Sequence, residues 1–238
     1  MPDIIERVEE IRKRLEYAAA ERWGRIPQII AVSKTIPSEI INEITSAGIF
    51  RIGENRVQEI LEKFPYLDAS FQIDMIGRLQ SNKVKYIIDK VNMIQSVDRE
   101  SLAVEIDRRA QQHNLVMPVL IQVNIGNEPQ KGGVDIGDTI SFARHVASLP
   151  GISLRGLMAV MPDIDDQEVL RPYFRKMRCL YEQLQQEAID HTQIETLSMG
   201  MSGDYELAAQ EGATVVRIGS AIFGTRTYAN QKSLKGDN

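Results

Sequence analysis

The sequence contains little of what several specialised classes of protein need. Its 238 residues include one cysteine, so the chain can form no internal disulfide and folding needs no oxidising compartment. Its 3 histidines have no metal-ligand spacing, which predicts no metal site. No apolar run approaches the roughly 20 residues of a membrane-spanning helix, and the first residues have no secretory pattern. We therefore expect a cytoplasmic protein without a bound metal.

The charge and composition narrow the class further. A formal net charge of -5 argues against sequence-independent binding of nucleic acid, which needs a basic surface. A hydrophobic fraction of 43% and a charged fraction of 26% are ordinary for a globular domain. The single cysteine, Cys179, falls in an apolar helical pattern with Met177, Leu180, Tyr181 and Leu184, so we expect it to pack in the core and not to act as a nucleophile.

Short apolar runs alternate with helical patterns along nearly the whole chain. An amphipathic helix is predicted over 3–22. Eight apolar runs follow it, at 28–33, 49–53, 71–76, 93–96, 118–123, 153–158, 194–199 and 214–218. Helical patterns follow the first seven runs, for example at 38–47, 57–64, 81–89, 99–113 and 167–188. The count of eight favours a single (β/α)₈ barrel over a doubly wound open sheet, which has the same local pattern. We predict a barrel domain over 1–226 and a disordered tail over 227–238.

The reacting groups of such a barrel lie where the strands end and the loops begin. Lys34 follows the first run. An amine at the barrel mouth can be partly desolvated, which lowers its pKa and exposes the lone pair needed to form a Schiff base with an aldehyde. The alternative is a lysine that faces solvent after a strand.

The loops after the seventh and eighth runs resemble a phosphate site. Two glycines surround Ser202, and Gly219 and Ser220 follow the eighth run. Both places allow close backbone approach, and both precede a possible helix. The alternatives are that Ser202 is an N-cap and Gly219 a turn residue, and the charge of Asp204 would oppose a phosphate. Because the pattern occurs in both loops, we favour phosphate binding.

Arg217, at the end of the eighth run, can donate a hydrogen bond to a ring nitrogen but cannot protonate it. Its alternative role is a salt bridge at the barrel rim. An amine, a phosphate site and an arginine beside a ring together describe a pocket for pyridoxal 5'-phosphate (PLP). A lysine-dependent aldolase acting on a sugar phosphate would use only the first two, with Glu54 or Asp74 as its acid–base partner.

The chain resembles the YggS/PROSC family of PLP homeostasis proteins from the first helix to about Arg226. The matching stretches are Ala31–Thr35, Gly53–Glu59, Ile76–Lys83, Gln122–Asn124, Gly156–Met158, Leu197–Ser202 and Val216–Gly224. The resemblance implies a barrel like the alanine racemase amino-terminal domain, with PLP joined to Lys34 and Arg217 facing the pyridine nitrogen. It implies further cofactor contacts at Asn55, Met199, Gly200, Ser202, Gly219 and Ser220. For Asn55, an N-cap role is an equal alternative.

The chain departs from that family at one point. The family usually has Trp-His-Phe where this sequence has Ile73-Asp74-Met75, so Asp74 stands where the histidine is common.

The resemblance also implies a function, which is to carry or buffer PLP in cofactor and amino-acid or keto-acid balance without enzymatic turnover. PLP-dependent apo-enzymes are the implied partners. The alternative is a racemase-like enzyme, which needs a second base besides Lys34. Tyr173, Tyr181 and Tyr205 fall in predicted helices, and nothing in the sequence marks any of them as that base. Since the chain ends soon after the barrel, we expect no second domain and a monomer.

Overall fold

A computed structural model describes residues 3–20 and 24–224. Its eight strands are all parallel and form a closed barrel in chain order, with the first strand paired to the eighth. The strands are β1 (Gln28–Val32), β2 (Arg51–Glu54), β3 (Gln72–Met75), β4 (Met93–Val97), β5 (Met117–Val123), β6 (Ile152–Ala159), β7 (Thr196–Ser198) and β8 (Val215–Ile218). The predicted (β/α)₈ barrel is confirmed, and the closure between β1 and β8 excludes the open sheet.

Helices cover the outside of this barrel. They are α1 (Ile4–Ala20), α2 (Ser38–Glu43), α3 (Val57–Lys63), α4 (Glu100–Gln112), α5 (Thr139–Ala147), α6 (Gln167–Gln186), α7 (Tyr205–Gln210) and α8 (Ser220–Phe223). Within the part of the chain that is described, no helix is both long and apolar enough to cross a membrane.

The two faces of each strand meet different surroundings because successive side chains alternate across the sheet. Outward-facing aliphatic residues and the buried faces of the helices form one large apolar core. Inside the barrel, Met93, Leu120 and Met158 form a separate small apolar cluster. The remaining interior positions include buried polar residues, which the site below uses.

Two local predictions are wrong, those for the helix at 81–89 and for Cys179, and one falls on residues that the structure does not describe. The pattern at 81–89 is a 3-10 helix over Ser81–Tyr86, because a buried side chain at every third or fourth position, such as Val84 and Ile87, suits either helix type. Cys179 is exposed, contrary to the expected packing: it precedes buried Leu180 and points away from the face that α6 buries. The predicted tail at 227–238 lies outside the described residues.

Candidate functional site

Lys34 lies in the turn that follows β1, and it is half-buried. The next residue, Thr35, has a positive φ of 65°, which marks a sharp turn of the backbone. Two residues of α3 hold this turn. Lys63 Nζ donates to the carbonyl oxygen of Ser33 at 2.8 Å, and the backbone N–H of Thr35 donates to Glu59 Oε2 at 2.6 Å. The backbone on both sides of Lys34 is therefore fixed at the carboxyl end of the barrel.

Met199 and Gly200 continue β7 alongside β8. The N–H of Met199 donates to the carbonyl of Val215 at 3.1 Å, and the N–H of Arg217 donates to the carbonyl of Gly200 at 2.9 Å. Gly200 has a φ of +95°, and a Cβ there would lie 2.5 Å from the Cβ of Ala208. Only glycine fits this close approach, which aligns the β7 loop with β8.

The side chain of Ser202, in the loop after β7, contacts the backbone that follows β8. Its Oγ accepts hydrogen bonds from the backbone N–H groups of Gly219 at 3.1 Å and Ala221 at 3.4 Å. Asp204 is the N-cap residue of α7, so Ser202 does not cap the helix that follows it, and its hydroxyl instead accepts from the first N–H groups of α8. Gly219 is the N-cap residue of α8, and Ser220 is the first residue of that helix. These residues form a small group of backbone donors around one hydroxyl.

The same group lies next to the strand that leads to Lys34. A Cβ added to Gly219 would lie 3.3 Å from the carbonyl oxygen of Val32. Val32 is the last residue of β1, two positions before Lys34. The predicted phosphate residues and the predicted anchoring lysine are thus neighbours at one end of the barrel.

Arg217 lies inside the barrel and is only 4% exposed. Its Nη1 donates to Ser198 Oγ at 2.7 Å, and its Nη2 donates to the carbonyl oxygen of Ala159 at 2.8 Å. Burial lowers the pKa of Arg217 to about 10, a shift that the charge of Asp204 opposes, so the guanidinium stays protonated at neutral pH. These contacts replace the alternative of a salt bridge at the rim.

Asn55 follows β2 and stands apart from these residues. The N-cap of α3 is Arg56, which rules out the alternative capping role of Asn55. Its backbone lies against Gly77, where a Cβ would come within 2.3 Å of the Asn55 carbonyl oxygen. Its side chain lines a groove of about 970 Å³ together with Arg78 and Arg99.

The two candidate acid–base carboxylates are both engaged elsewhere. Glu54 Oε1 accepts from Ser33 Oγ and Lys63 Nζ, each at 2.7 Å. Burial raises the pKa of Glu54, and Lys63 and Ser33 oppose that rise. Asp74 is wholly buried inside the barrel, where it accepts from Arg51 and Gln95. Burial likewise raises the pKa of Asp74, against the charge of Arg51.

The donors at the end of β8 suit a phosphate group. The N–H groups of Gly219 and Ala221 converge on Ser202 Oγ, as they would on a phosphate oxygen. The glycine at 219 leaves the room that a side chain would take against β1. A guanidinium and an amine complete the set that PLP needs. Within the described residues there is no cluster of three or more His, Cys, Asp or Glu side chains that could hold a metal ion.

Several polar residues of the barrel interior were not predicted from the sequence. Ser198 Oγ, which contacts Arg217, donates to Gln95 Oε1 at 2.7 Å. Gln95 Nε2 in turn donates to Asp74 Oδ2 at 2.5 Å. A glutamine in the middle of a fully buried strand was the available signal, since its amide must find buried partners.

Comparison with known proteins agrees with this geometry. Residues 7–227 match the family described as the N-terminal domain of alanine racemase. The chain belongs to this family. It is 45% identical over 230 residues to the pyridoxal phosphate homeostasis protein of Aquifex aeolicus, an alignment that covers 94% of this chain and 98% of that protein. The resemblance noted from the sequence motifs is thereby confirmed.

Solved structures give the same result. The chain is similar to PipY of Synechococcus elongatus with PLP bound, at a TM-score of 0.83 and 32% identity, covering 93% of this chain and 100% of that one. It is also similar to alanine racemase of Clostridium difficile, at a TM-score of 0.73 and 14% identity, covering 96% of this chain and 59% of that one. The second likeness is one of fold alone.

Proposed function

We propose that this protein binds PLP at the barrel mouth and carries or buffers it, without catalytic turnover. The observation that carries the proposal is the arrangement around Arg217. The buried guanidinium of Arg217 is held by a hydroxyl and by the carbonyl at the end of β6. Two residues further along the chain, the Gly219 N–H donates to Ser202 at the end of the barrel that bears Lys34. The names of the relatives, a PLP homeostasis protein and a PLP-bound PipY, support the same cofactor.

Each residue then has a distinct task. Lys34 would hold the cofactor through a Schiff base, and PLP when bound supplies the aldehyde for that link and a ring that accepts electrons. Ser202, Gly219 and Ser220 would bind the phosphate, with Met199 and Gly200 beside it. Among the described residues, the acceptors Ser198 and Ala159 use two of the five N–H groups of Arg217, so donors remain for a ring nitrogen. Asn55 remains a proposed cofactor neighbour.

The positions of the candidate bases favour carriage over racemisation. Racemisation needs a second base besides Lys34. Tyr181 and Tyr205 are buried in the helix layer, where the Tyr181 hydroxyl donates to the carbonyl of Ile194 at 3.2 Å. Neither tyrosine is placed as a base at the mouth.

The aldolase alternative has less support, because its two candidate carboxylates have other partners. Asp74 lies within the barrel beside Arg51, and Glu54 is bound by Lys63. Delivery of PLP to apo-enzymes, a monomeric state and a cytoplasmic location belong to the proposal as predictions from the sequence.

The first test is a visible absorption spectrum of the purified protein with PLP, before and after borohydride reduction, followed by mass mapping of the modified peptide. We expect a chromophore that reduction removes and an adduct on Lys34. The Lys34→Ala variant should lose both, and the exposed Lys85→Ala variant should keep both. No chromophore after incubation with PLP would contradict the proposed cofactor.

A second test separates carriage from catalysis. The loaded protein is mixed with a PLP-dependent apo-enzyme, and recovery of that enzyme's activity is followed; racemisation of alanine is measured in parallel. We expect transfer without racemisation. Steady racemisation that is lost in Lys34→Ala would contradict the non-catalytic proposal.

A further inference from the structure

Five polar side chains cross the barrel interior from β8 to β2, and we call them the interior row: Arg217, Ser198, Gln95, Asp74 and Arg51. Arg217 Nη1 donates to Ser198 Oγ at 2.7 Å, and Ser198 Oγ donates to Gln95 Oε1 at 2.7 Å. Gln95 Nε2 donates to Asp74 Oδ2 at 2.5 Å. Arg51 Nη2 donates to the same carboxylate oxygen at 2.8 Å.

The direction of these hydrogen bonds follows from one residue. A carboxylate only accepts, so Gln95 must turn its NH₂ group toward Asp74 and its carbonyl oxygen toward Ser198. The reverse orientation would set a carbonyl oxygen against a carboxylate oxygen. The hydroxyl hydrogen of Ser198 then goes to Gln95, and its lone pairs are left for Arg217.

Arg51 neutralises the charge of the Asp74 carboxylate in the barrel interior. Asp74 is fully buried, and an unpaired charge there would be expensive. Arg51 contacts both of its oxygens, with Nε at 3.2 Å from Oδ1 and 3.1 Å from Oδ2. Arg51 Nη1 also donates to Gln28 Oε1 at 2.8 Å, at the start of β1. The row therefore begins at the end of the barrel opposite to Lys34.

We propose that Asp74 is a positioning residue for Arg217: paired with Arg51 and acting through Gln95 and Ser198, it fixes the guanidinium where that group meets the ring nitrogen of bound PLP. This inference rests on the proposed function. It also gives a role to the residue at which the chain departs from the family it resembles. A neutral imidazole at position 74 has a single acceptor nitrogen and cannot accept from both Arg51 and Gln95.

The test compares Asp74→Asn, Ser198→Ala and the double variant, each loaded with PLP whose ring nitrogen is labelled with ¹⁵N. We expect the ¹⁵N resonance and the visible spectrum to shift in Asp74→Asn, with PLP retention roughly tenfold weaker, the effect of disturbing one hydrogen bond to a charged group. In the Ser198→Ala background, Asp74→Asn should produce no further shift. Met158→Leu, an apolar change in the same interior, should leave the spectrum unchanged.

An unchanged resonance in Asp74→Asn would overturn the proposal, as would an equal shift in the presence and absence of Ser198. Should Asp74→Asn not fold, Gln95→Met cuts the row while Arg51 and Asp74 stay paired. The ¹⁵N signal of the Arg217 guanidinium in the cofactor-free variant is then expected to change, and no change would refute the inference. If wild type forms no adduct on Lys34, the proposed function has failed, which the mass map reports separately.

Discussion

The barrel sheet has two faces that are built on different principles. Outside, aliphatic residues of strands and helices pack into one large core, in which any single side chain contacts many others of its kind. Inside, the side chains of the interior row make hydrogen bonds in which each group has a few specific partners. The outer face stabilises the fold by burying apolar area. The inner face buries charged groups, which is unfavourable, and it holds the Arg217 guanidinium in place.

The largest effect should come from removing one charge of the inner face. Arg51→Met leaves Asp74 buried without its partner and should lower the free energy of unfolding by about 4 kcal/mol. Urea denaturation followed by circular dichroism measures this. The double variant Arg51→Met with Asp74→Leu removes both charges and should recover most of the loss. A double variant as unstable as the single one would show that the loss is not due to the unpaired carboxylate.

A change to the outer face should cost less and leave the site intact. Leu184, buried in α6, packs in the outer core, and Leu184→Ala should lower the free energy of unfolding by about 3 kcal/mol through the cavity it creates. The spectrum of the PLP-loaded protein should not move, because the interior row is untouched. A spectral shift in Leu184→Ala as large as that of Asp74→Asn would show that the outer core also determines the environment of the cofactor.

A substitution at Gly200, in the loop after β7, tests the close approach of that loop to α7. Gly200→Ala forces a Cβ onto a residue with a φ of +95° and against Ala208, so it should cost about 2 kcal/mol. Gly203→Ala is the matched control, since a Cβ there meets nothing within 4 Å, and it should change stability by less than about 0.5 kcal/mol. Equal unfolding midpoints for the two variants would contradict the close approach at Gly200.

The smallest effect concerns pH and the other buried carboxyl, Glu54. Burial raises its pKa above the ordinary value of 4.5, so the folded state binds the proton more tightly than the unfolded state does. The stabilising contribution of this group is thus complete below about pH 4.5 and is lost as the pH rises through the folded-state pKa. The stability advantage of wild type over Glu54→Gln should therefore shrink with rising pH, measured by denaturation between about pH 4 and 8.

Glu62→Gln, an exposed change on the neighbouring helix α3, controls for the loss of one negative charge. A wild-type advantage that grew with pH would mean that Lys63 outweighs burial and that the pKa of Glu54 is lowered.

The outer face and the rim could be predicted from sequence because their signals are local. The alternation of eight apolar runs with helical patterns identified all eight strands, and Lys34, Gly200 and Gly219 stand at their ends. The interior row could not be predicted. Ser198 and Gln95 are 103 residues apart, and only the register of the closed barrel brings them together.

The direction in which the Asp74 side chain points could not be predicted from the sequence either. In a strand a shift of one residue turns every side chain to the other face, so the inward position of Asp74 needed the register with β2 and β4. The prediction that Cys179 is buried was wrong for a similar reason. In a helix a shift of one position also changes the face, so Leu180 faces the core while Cys179 is exposed.

A crystal structure of the protein with PLP would show whether Lys34 holds the cofactor and whether Arg217 meets its ring nitrogen. We expect a covalent bond from Lys34 Nζ to the cofactor and the phosphate at Ser202 and the N–H groups near Gly219. We also expect the Arg217 guanidinium within hydrogen-bond distance of the ring nitrogen while it still contacts Ser198. PLP bound at another lysine would contradict the proposed anchor, and a ring nitrogen without Arg217 beside it would contradict the proposed role of the interior row.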